Sequence, residues 1–535
     1  DNFTDWAARA SVAALMTALS FDSGPPLFYL LEKPFVLLAE SARLPDCLAR
    51  LLPYAATLLL FAAARTLDSR AARGRFVVLL AASPLLLAYS GEARAYALLS
   101  LGSFVLFLLA FRSAPTRSRL ALTALAASAL LAIHYLALFV VVAVALCAFA
   151  FSRRTTALAA LSGFLPFAFW VPVLNAQPAE ALAWMRESAP ASLIGFLSAL
   201  GGAGRIPDPL GGPLPTLLFG LGAAAGALAL FAVGRDADRE TRAALWVSLL
   251  ALSAAAAASI FRPVAFAGRT EMAVLPIWLW GLARSGEAGR LGRRAAAAAA
   301  SIGAVSSLVL FAAPRDEPEY AAAARALSTL AARGDLVVAG GACYLPARLD
   351  RDRGRLPADL AALPESLERH PGWFAPAPPT QDDALRLEHR LAAVPAGRRV
   401  LVLLPAALLT PALTEVLGRR GITAIVRRTQ SIVLLCSARA GALRPAGDRQ
   451  KRHSERGRLR LFAPQERQQQ LEGPQLRARQ NPPAQQLAVD PPAQDAGPVH
   501  ETALFDGQAG SRQLLRQLRF LVAAEVPQVH VERTV

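Results

Sequence analysis

Between residues 83 and 99 the chain reads Ser-Pro-Leu-Leu-Leu-Ala-Tyr89-Ser90-Gly91-Glu92-Ala-Arg94-Ala-Tyr96-Ala-Leu-Leu. Glu92 and Arg94 are the only charged residues between Arg75 and Arg112, and they separate two apolar runs, 75–90 and 95–111. Ionisable groups at a membrane boundary are costly unless paired or used, so they mark a functional site by default. A guanidinium can grip two phosphate oxygens at once, and a carboxylate can take a proton from a hydroxyl. The span count given below places Asp1, Asp22, Lys33, His134, Arg262 and Arg269 on the same side of the membrane as this pair.

The elements that must position these groups are apolar. The chain has 535 residues, 54% of them hydrophobic, and its mean hydropathy is +0.38, too apolar for a soluble protein of this size. Many runs reach or approach the ~20 residues that span a bilayer. The formal charge is +17, but the arginines sit in short clusters between apolar runs. That is the pattern of cytoplasmic loops and does not point to nucleic acid as a partner. Only two lysines occur, Lys33 and Lys451, and alanine and arginine dominate, which suggests a GC-rich bacterial genome. Cys47, Cys147, Cys343 and Cys436 show no metal or redox spacing, although Cys343 and Cys436 could pair in an extracytoplasmic domain. No signal peptide is visible. The start at Asp1 suggests a chain that has lost an N-terminal membrane helix.

Spans are expected at 48–66, 75–90, 95–111, 119–133, 136–151, 157–174, 214–233, 242–261, 269–284 and 295–313. Five arginine clusters (65–75, 112–119, 153–154, 235–242 and 284–294) then fall on one side, the cytoplasm. The outer loops hold 1–47, Tyr89–Tyr96, His134-Tyr135, 175–213 and Arg262–Arg269. Residues 25–41 look apolar enough to cross, but crossing would put 1–23 in the cytoplasm. Residues 1–42 are therefore read as an outer segment with amphipathic helices at the interface, the second broken or kinked at Pro34.

The expected fold is a polytopic α-helical membrane protein over 1–315, a small extracytoplasmic α/β domain over 316–440, and a disordered low-complexity tail over 441–535. In the α/β domain the patterns predict helix at 320–332 and 411–420 and strand at 335–339, 400–404 and 431–436. The tail is rich in Gln, Arg and Pro without periodicity. A shifted reading frame in a GC-rich gene would also produce such a sequence. There is no internal repeat.

Four segments together resemble one family. They are Phe21-Asp22-Ser23-Gly24-Pro25-Pro26-Leu27-Phe28-Tyr29-Leu30-Leu31-Glu32-Lys33, the Tyr89–Tyr96 turn, His134-Tyr135, and Phe261-Arg262-Pro263 through Gly268-Arg269 to Leu275-Pro276. The resemblance, over roughly 1–315, is to the GT-C membrane glycosyltransferases: the protein O-mannosyltransferase-like (glycosyltransferase family 39-like) enzymes and bacterial relatives such as the lipid A aminoarabinose transferases. In that family an Asp-Glu pair opens the first outer loop; here Asp1 holds that place and Asn2 replaces the Glu. Thr270 stands where Tyr is usual after the arginine.

The resemblance implies an inverting transfer of a hexosyl or pentosyl group from a polyprenyl-phosphate sugar to an acceptor, on the outer face of the bacterial cytoplasmic (inner) membrane. A phosphate leaves readily, so one carboxylate base and a cationic clamp should suffice, unlike the two carboxylates of glycoside hydrolysis. It implies Asp1 as the base. Arg94, Lys33 and Arg269 are the candidate donor-phosphate ligands, and Glu92, Tyr96, His134, Asp22 and Tyr29 the supporting residues. Glu92 and Tyr96, four apart, are expected on one helix face, with Glu92 orienting Arg94 or Lys33. No cofactor and no divalent metal are expected: the lipid-linked donor is a substrate. The expected partners are the bilayer, the polyprenyl-phosphate sugar, and a glycan, lipid or protein acceptor that the sequence leaves open.

Three other readings compete. A transporter or flippase of a lipid-linked sugar would keep its polar groups near the midplane, often in repeated halves; a scaffold presenting 316–440 would leave the ionisable groups unexplained; and a catalytically inactive relative would fit Asn2 and Thr270. Topology is the first check. A reporter fused after residue 320 should report the outside, and one within 285–293 the cytoplasm. The opposite pattern contradicts the span count.

Overall fold

The structure, a computed structural model, describes residues 2–20, 24–41, 50–112, 114–177, 189–204, 213–235, 238–312, 319–369, 379–395, 397–422, 424–428 and 432–437. Asp1, Asp22 and the expected tail at 441–535 lie outside the described residues.

Three helices open the chain: α1 (Asn2–Arg9), α2 (Val12–Leu19) and α3 (Leu27–Ser41). The helical domain follows with α4 (Leu51–Ala62), α5 (Arg70–Ala82), α6 (Pro84–Ser90), α7 (Tyr96–Phe111), α8 (Arg117–Ile133), α9 (Ala137–Ala150), α10 (Arg154–Ser162), α11 (Phe164–Ala168), α12 (Val171–Ala176), α13 (Ala189–Leu200), α14 (Leu214–Arg235), α15 (Arg239–Ala258), α16 (Leu275–Ala288) and α17 (Arg290–Ala312). Among the described residues, α14, α15 and α17 are each long and apolar enough to cross a membrane, and α5 with α6, bent by 65°, meets the same length and composition when taken together. The other expected spans form shorter helices. The 16 residues of α7, for example, rise about 24 Å, short of a ~30 Å hydrocarbon core.

Two expected spans are interrupted for visible reasons. The run 75–90 breaks at Ser83-Pro84, since Pro cannot donate to the preceding turn. The Ser83 hydroxyl caps α6 by accepting from the Leu86 amide, and the Ala82 carbonyl receives the Ser307 hydroxyl at 2.9 Å. The run 157–174 becomes α10, α11 and α12, with Pro166 and Pro172 in its later turns. The expected outer loop 175–213 holds the apolar helix α13, too short at 12 residues to register as a span. Its end turns tightly. A Cβ on Gly202 would lie 2.2 Å from the Ala299 carbonyl, and its φ is +99°, a conformation that only glycine adopts without cost.

Of the break or kink expected at Pro34, the break is absent: Pro34 sits inside a continuous α3. Pro34 is on the helix's exposed side, while Phe28, Glu32, Val36 and Ala39 form a buried stripe. Packing of that stripe against α1, α4 and α8 holds the helix through the missing hydrogen bond. Lys33 Nζ donates to the Ala10 carbonyl at 2.6 Å, which ties the end of α1 to the middle of α3.

The soluble part is an α/β sandwich of α18 (Glu319–Leu330), β1 (Leu336–Gly340), α19 (Tyr344–Asp352), β2 (Asp359–Leu363), α20 (Ser366–Arg369), α21 (Gln381–Ala392), β3 (Val400–Pro405), α22 (Pro411–Arg419), β4 (Ala424–Arg428) and β5 (Ile432–Cys436). The sheet order is β2-β1-β3-β5-β4; β1 pairs parallel with β2 and β3, and β5 is antiparallel to β3 and β4. Alternate strand residues feed two cores. Val337, Ala339, Leu401, Leu403 and Leu434 face α18 and α19, while Val338, Val402, Leu404, Val433 and Leu435 face α21 and α22. The sequence patterns located β1, β3 and β5 but not β2, β4, α19 or α21. Cys343 and Cys436 are both buried free thiols, not a disulfide.

Glu32 is fully buried, and neither carboxylate oxygen has a hydrogen-bond partner. Burial pushes its carboxyl up to about 8. The folded chain therefore keeps a proton that the unfolded chain releases near 4.5, and stability falls as pH rises through that window. Glu32→Met, apolar and of similar volume, should stabilise the protein by roughly 1–3 kcal/mol at low pH and by more at pH 8. Melting in detergent at pH 5 and pH 8 checks this. A lower melting temperature, or a gain independent of pH, contradicts it.

Candidate active site

The helices order the charged groups into two ends. At one end, the loops at 66–69, 111–112, 151–154, 238–242 and 284–290 meet. Arg284 pairs with Asp238 at 2.9 Å, Glu240 at 3.0 Å and Asp68 at 3.4 Å, and Arg112 pairs with Asp68 at 2.7 Å. Arg153 donates to the Ala110 carbonyl, in the last turn of α7, which lacks a partner of its own, and Arg75 donates to the Ala283 carbonyl of α16. Arg239 reaches the Phe151 carbonyl. This is the end that collects the arginine clusters of the sequence.

At the other end stand the Tyr89–Tyr96 turn, His134-Tyr135, the 170–177 segment and the 259–274 segment. Arg269 is the hub. Its guanidinium lies 5.5 Å over the Phe266 ring and acts electrostatically on the neighbouring Tyr89 hydroxyl. The Tyr89 and Tyr96 rings are 4.6 Å apart, and the Tyr96 and His134 rings 5.1 Å apart. The structure thus brings together Arg269, Tyr96 and His134 of the expected residues and adds Tyr89. The amides of the first turn of α7 open at the same place, where a helix carries positive potential.

The segment presenting Arg269 is held from within. Ser259 Oγ accepts from the Val264 and Ala265 amides at 3.1 and 2.6 Å, and Thr270 Oγ1 accepts from the Phe266 amide at 2.8 Å. Both oxygens of buried Glu271 take the Gly268 amide, at 3.0 and 2.8 Å. Gly268 has φ +92°, so the turn needs its freedom. The Ser100 hydroxyl donates to the Met272 carbonyl at 2.6 Å, locking the segment to α7. Sequence reading missed Glu271. Its signal was present: it is the only carboxylate between Glu240 and Glu287, two residues from Arg269. Thr270, where the family has Tyr, serves this local fold.

His134 closes the site beside α9. Burial and the positive charge of Arg269 hold its imidazole down at about 4, so it is neutral at ordinary pH. Its Nδ1 accepts the Leu136 amide at 3.1 Å, which leaves Nε2 as the protonated nitrogen and a neutral donor. Beside it, Tyr135 Oη accepts from Trp170 Nε1 at 2.8 Å and Gln177 Nε2 at 2.9 Å. Gln177 also donates to the Leu19 carbonyl, and Arg262 donates to the Gln177 carbonyl.

The remaining expected residues lie as follows. Arg94 sits in the turn before α7, its Nε 3.5 Å from Glu92. Glu92 also lies in that turn, before α7 begins at Tyr96, so the two do not share a helix face as expected. Tyr29 packs edge-on against Phe3 at 5.6 Å, while its neighbour Phe28 packs with Ala97, Leu98 and Ile133 next to the site. Lys33 is engaged at Ala10, as described above. Among the described residues no group of three or more His, Cys, Asp or Glu could hold a metal.

A depressed imidazole pKa has a stability signature. The unfolded chain takes up a proton near 6.5 and the folded chain only near 4, so this group lowers stability as pH drops from 6.5 to 4 and leaves it untouched above. His134→Asn should flatten that part of the melting-temperature curve. An unchanged slope would show that His134 titrates normally.

The sequence matches no family model, and none of the curated proteins matches it. Solved structures do. ArnT from Cupriavidus metallidurans in the apo state is similar over 78% of this chain and 88% of that one, with a TM-score of 0.50 and 13% identity. The same protein bound to undecaprenyl phosphate gives a TM-score of 0.47 at the same identity and coverage. ArnT is a GT-C glycosyltransferase, and the fold of this chain is that of the GT-C membrane glycosyltransferases.

Proposed function

We propose that this protein transfers a sugar from a polyprenyl-phosphate donor to an acceptor hydroxyl, with inversion, on the outer face of the cytoplasmic membrane. The observation that carries the proposal is the grouping of Arg269, Tyr89, Tyr96 and neutral His134 at one end of an apolar helical domain of GT-C fold. A guanidinium, a helix N-terminus and a neutral N–H donor together suit a phosphate oxygen. The opposite end collects the arginine-rich loops, which the positive-inside rule assigns to the cytoplasm.

In this reading Arg269 holds the donor phosphate, Arg94 assists from the neighbouring turn, and His134 Nε2–H donates to a phosphate oxygen. Asp1 takes the proton of the acceptor hydroxyl. The acceptor oxygen attacks the anomeric carbon from the face opposite the phosphate, the carbon–oxygen bond to phosphate breaks, and polyprenyl phosphate departs with the bonding pair. Charge building on that phosphate is neutralised by groups already in place.

The flippase reading fares worse. Around the break at Ser83, where a transporter would carry its polar site, the lining is Leu79, Ala82, Ala199, Gly202, Leu275, Leu279, Ala299 and Gly303, with no ionisable side chain.

Membranes containing the protein, supplied with a panel of radiolabelled polyprenyl-phosphate sugars, should transfer label. Asp1→Asn should abolish transfer at unchanged membrane abundance, Arg269→Ala should slow it about 10²-fold, and His134→Asn roughly 5- to 10-fold. Full turnover by Asp1→Asn removes Asp1 as the base. Full turnover by Arg269→Ala removes the phosphate site.

A further inference from the structure

The helix α19 of the soluble domain is shared between two cores. Tyr344 and Ala347 are buried with the sheet, while Leu345 and Leu349 are buried with Phe3 and Trp6 in the core of the helical domain. Next to this apolar contact stands an ion chain. Arg353, just past α19, has Nη2 2.7 Å from Asp5 Oδ2, and Asp5 Oδ1 takes Arg9 Nε and Nη2 at 3.2 and 3.1 Å. The Arg348 guanidinium lies 5.8 Å over the Trp6 ring. Asp5 is largely shielded, at 16% side-chain exposure, and Arg353 at 23%.

The partner gripped in this way is α1, whose eight residues are too few to form a stable helix unaided. Its order must come from what it packs on. On its other side Phe3 meets Tyr29 and Lys33 caps its end, and α3 in turn lays Phe28 against Ala97 and Ile133, the neighbours of Tyr96 and His134. A continuous path of contacts therefore runs from α19 through α1 and α3 to the candidate site.

We infer that the soluble domain is a positioning element for the transfer reaction, with Arg353 the residue that fixes α1, through Asp5, relative to the Arg269 grouping. This rests on the transferase reading. Arg353 acts here through Asp5, so its loss should affect turnover and not donor binding. Arg353→Lys keeps the charge and should keep most of the function.

The test uses the full chain in detergent with Arg353→Gln and Arg353→Lys. Hydrogen exchange of the amides of residues 2–10 should accelerate at least tenfold in Arg353→Gln, with α7 unchanged, and return toward wild type in Arg353→Lys. In the radiolabelled-donor assay, Arg353→Gln should lose about tenfold in turnover at unchanged half-saturating donor concentration, and Arg353→Lys should recover it. Unchanged exchange over 2–10 overturns the inference, as does faster exchange with unchanged turnover, or a lost turnover that follows weaker donor binding. Failure of the underlying reading is distinct. A wild-type protein that transfers no sugar, with α1 exchange still governed by Arg353, sinks the transferase assignment and this role with it, while leaving α19 as the structural anchor of α1.

Discussion

The guanidinium of Arg269 imposes the main constraint on this structure. A permanent positive charge beside apolar spans must find partners or reach water, and the local fold is built to give it both. Tyr89 and Phe266 receive it, Glu271 and Thr270 shape the turn that carries it, and Ser100 anchors that turn to α7. The same charge helps keep His134 neutral. Burial first and this charge second keep the imidazole neutral, and a neutral imidazole can donate to an anion without adding a second full charge.

The two ends of the helical domain use arginine in different ways. At the loop-rich basic end, Arg284, Arg112, Arg153 and Arg75 are engaged by carboxylates and backbone carbonyls. These contacts close the bundle. At the other end, Arg269 lies over the Phe266 ring and beside Tyr89.

Much of this was legible in the sequence. The alternation of arginine clusters placed Tyr89–Tyr96, His134 and Arg269 on one side, and the structure brings their side chains to one end. The β1, β3 and β5 strands announced themselves as short apolar runs. What stayed hidden depended on tertiary contacts. The break at Ser83 follows from Pro84, Gly163 between α10 and α11 is where a Cβ would lie 2.5 Å from Ala127 Cβ of α8, and α13 was too short to count as a span. Pro34 was expected to break or kink α3; the helix does not break, because the buried stripe from Phe28 to Ala39 outweighs one missing hydrogen bond. Lys33 stood out because lysine is so rare here, and its amine donates to the Ala10 carbonyl at the end of α1. Glu271 hid as a single carboxylate in an apolar stretch, and its role appears only when Gly268 folds back onto it. The α1–α19 contact joins residues 348 positions apart, beyond any local pattern.

The central claim is that the Arg269 grouping recognises phosphate and not merely a lipid tail. It is tested most directly by thermal-shift titration of the purified protein with undecaprenyl phosphate and, in parallel, with undecaprenol, which lacks the phosphate. The account predicts saturable stabilisation by the phosphorylated lipid alone, and its loss in Arg269→Gln. Equal stabilisation by both lipids, or phosphate-dependent stabilisation that survives in Arg269→Gln, would contradict it.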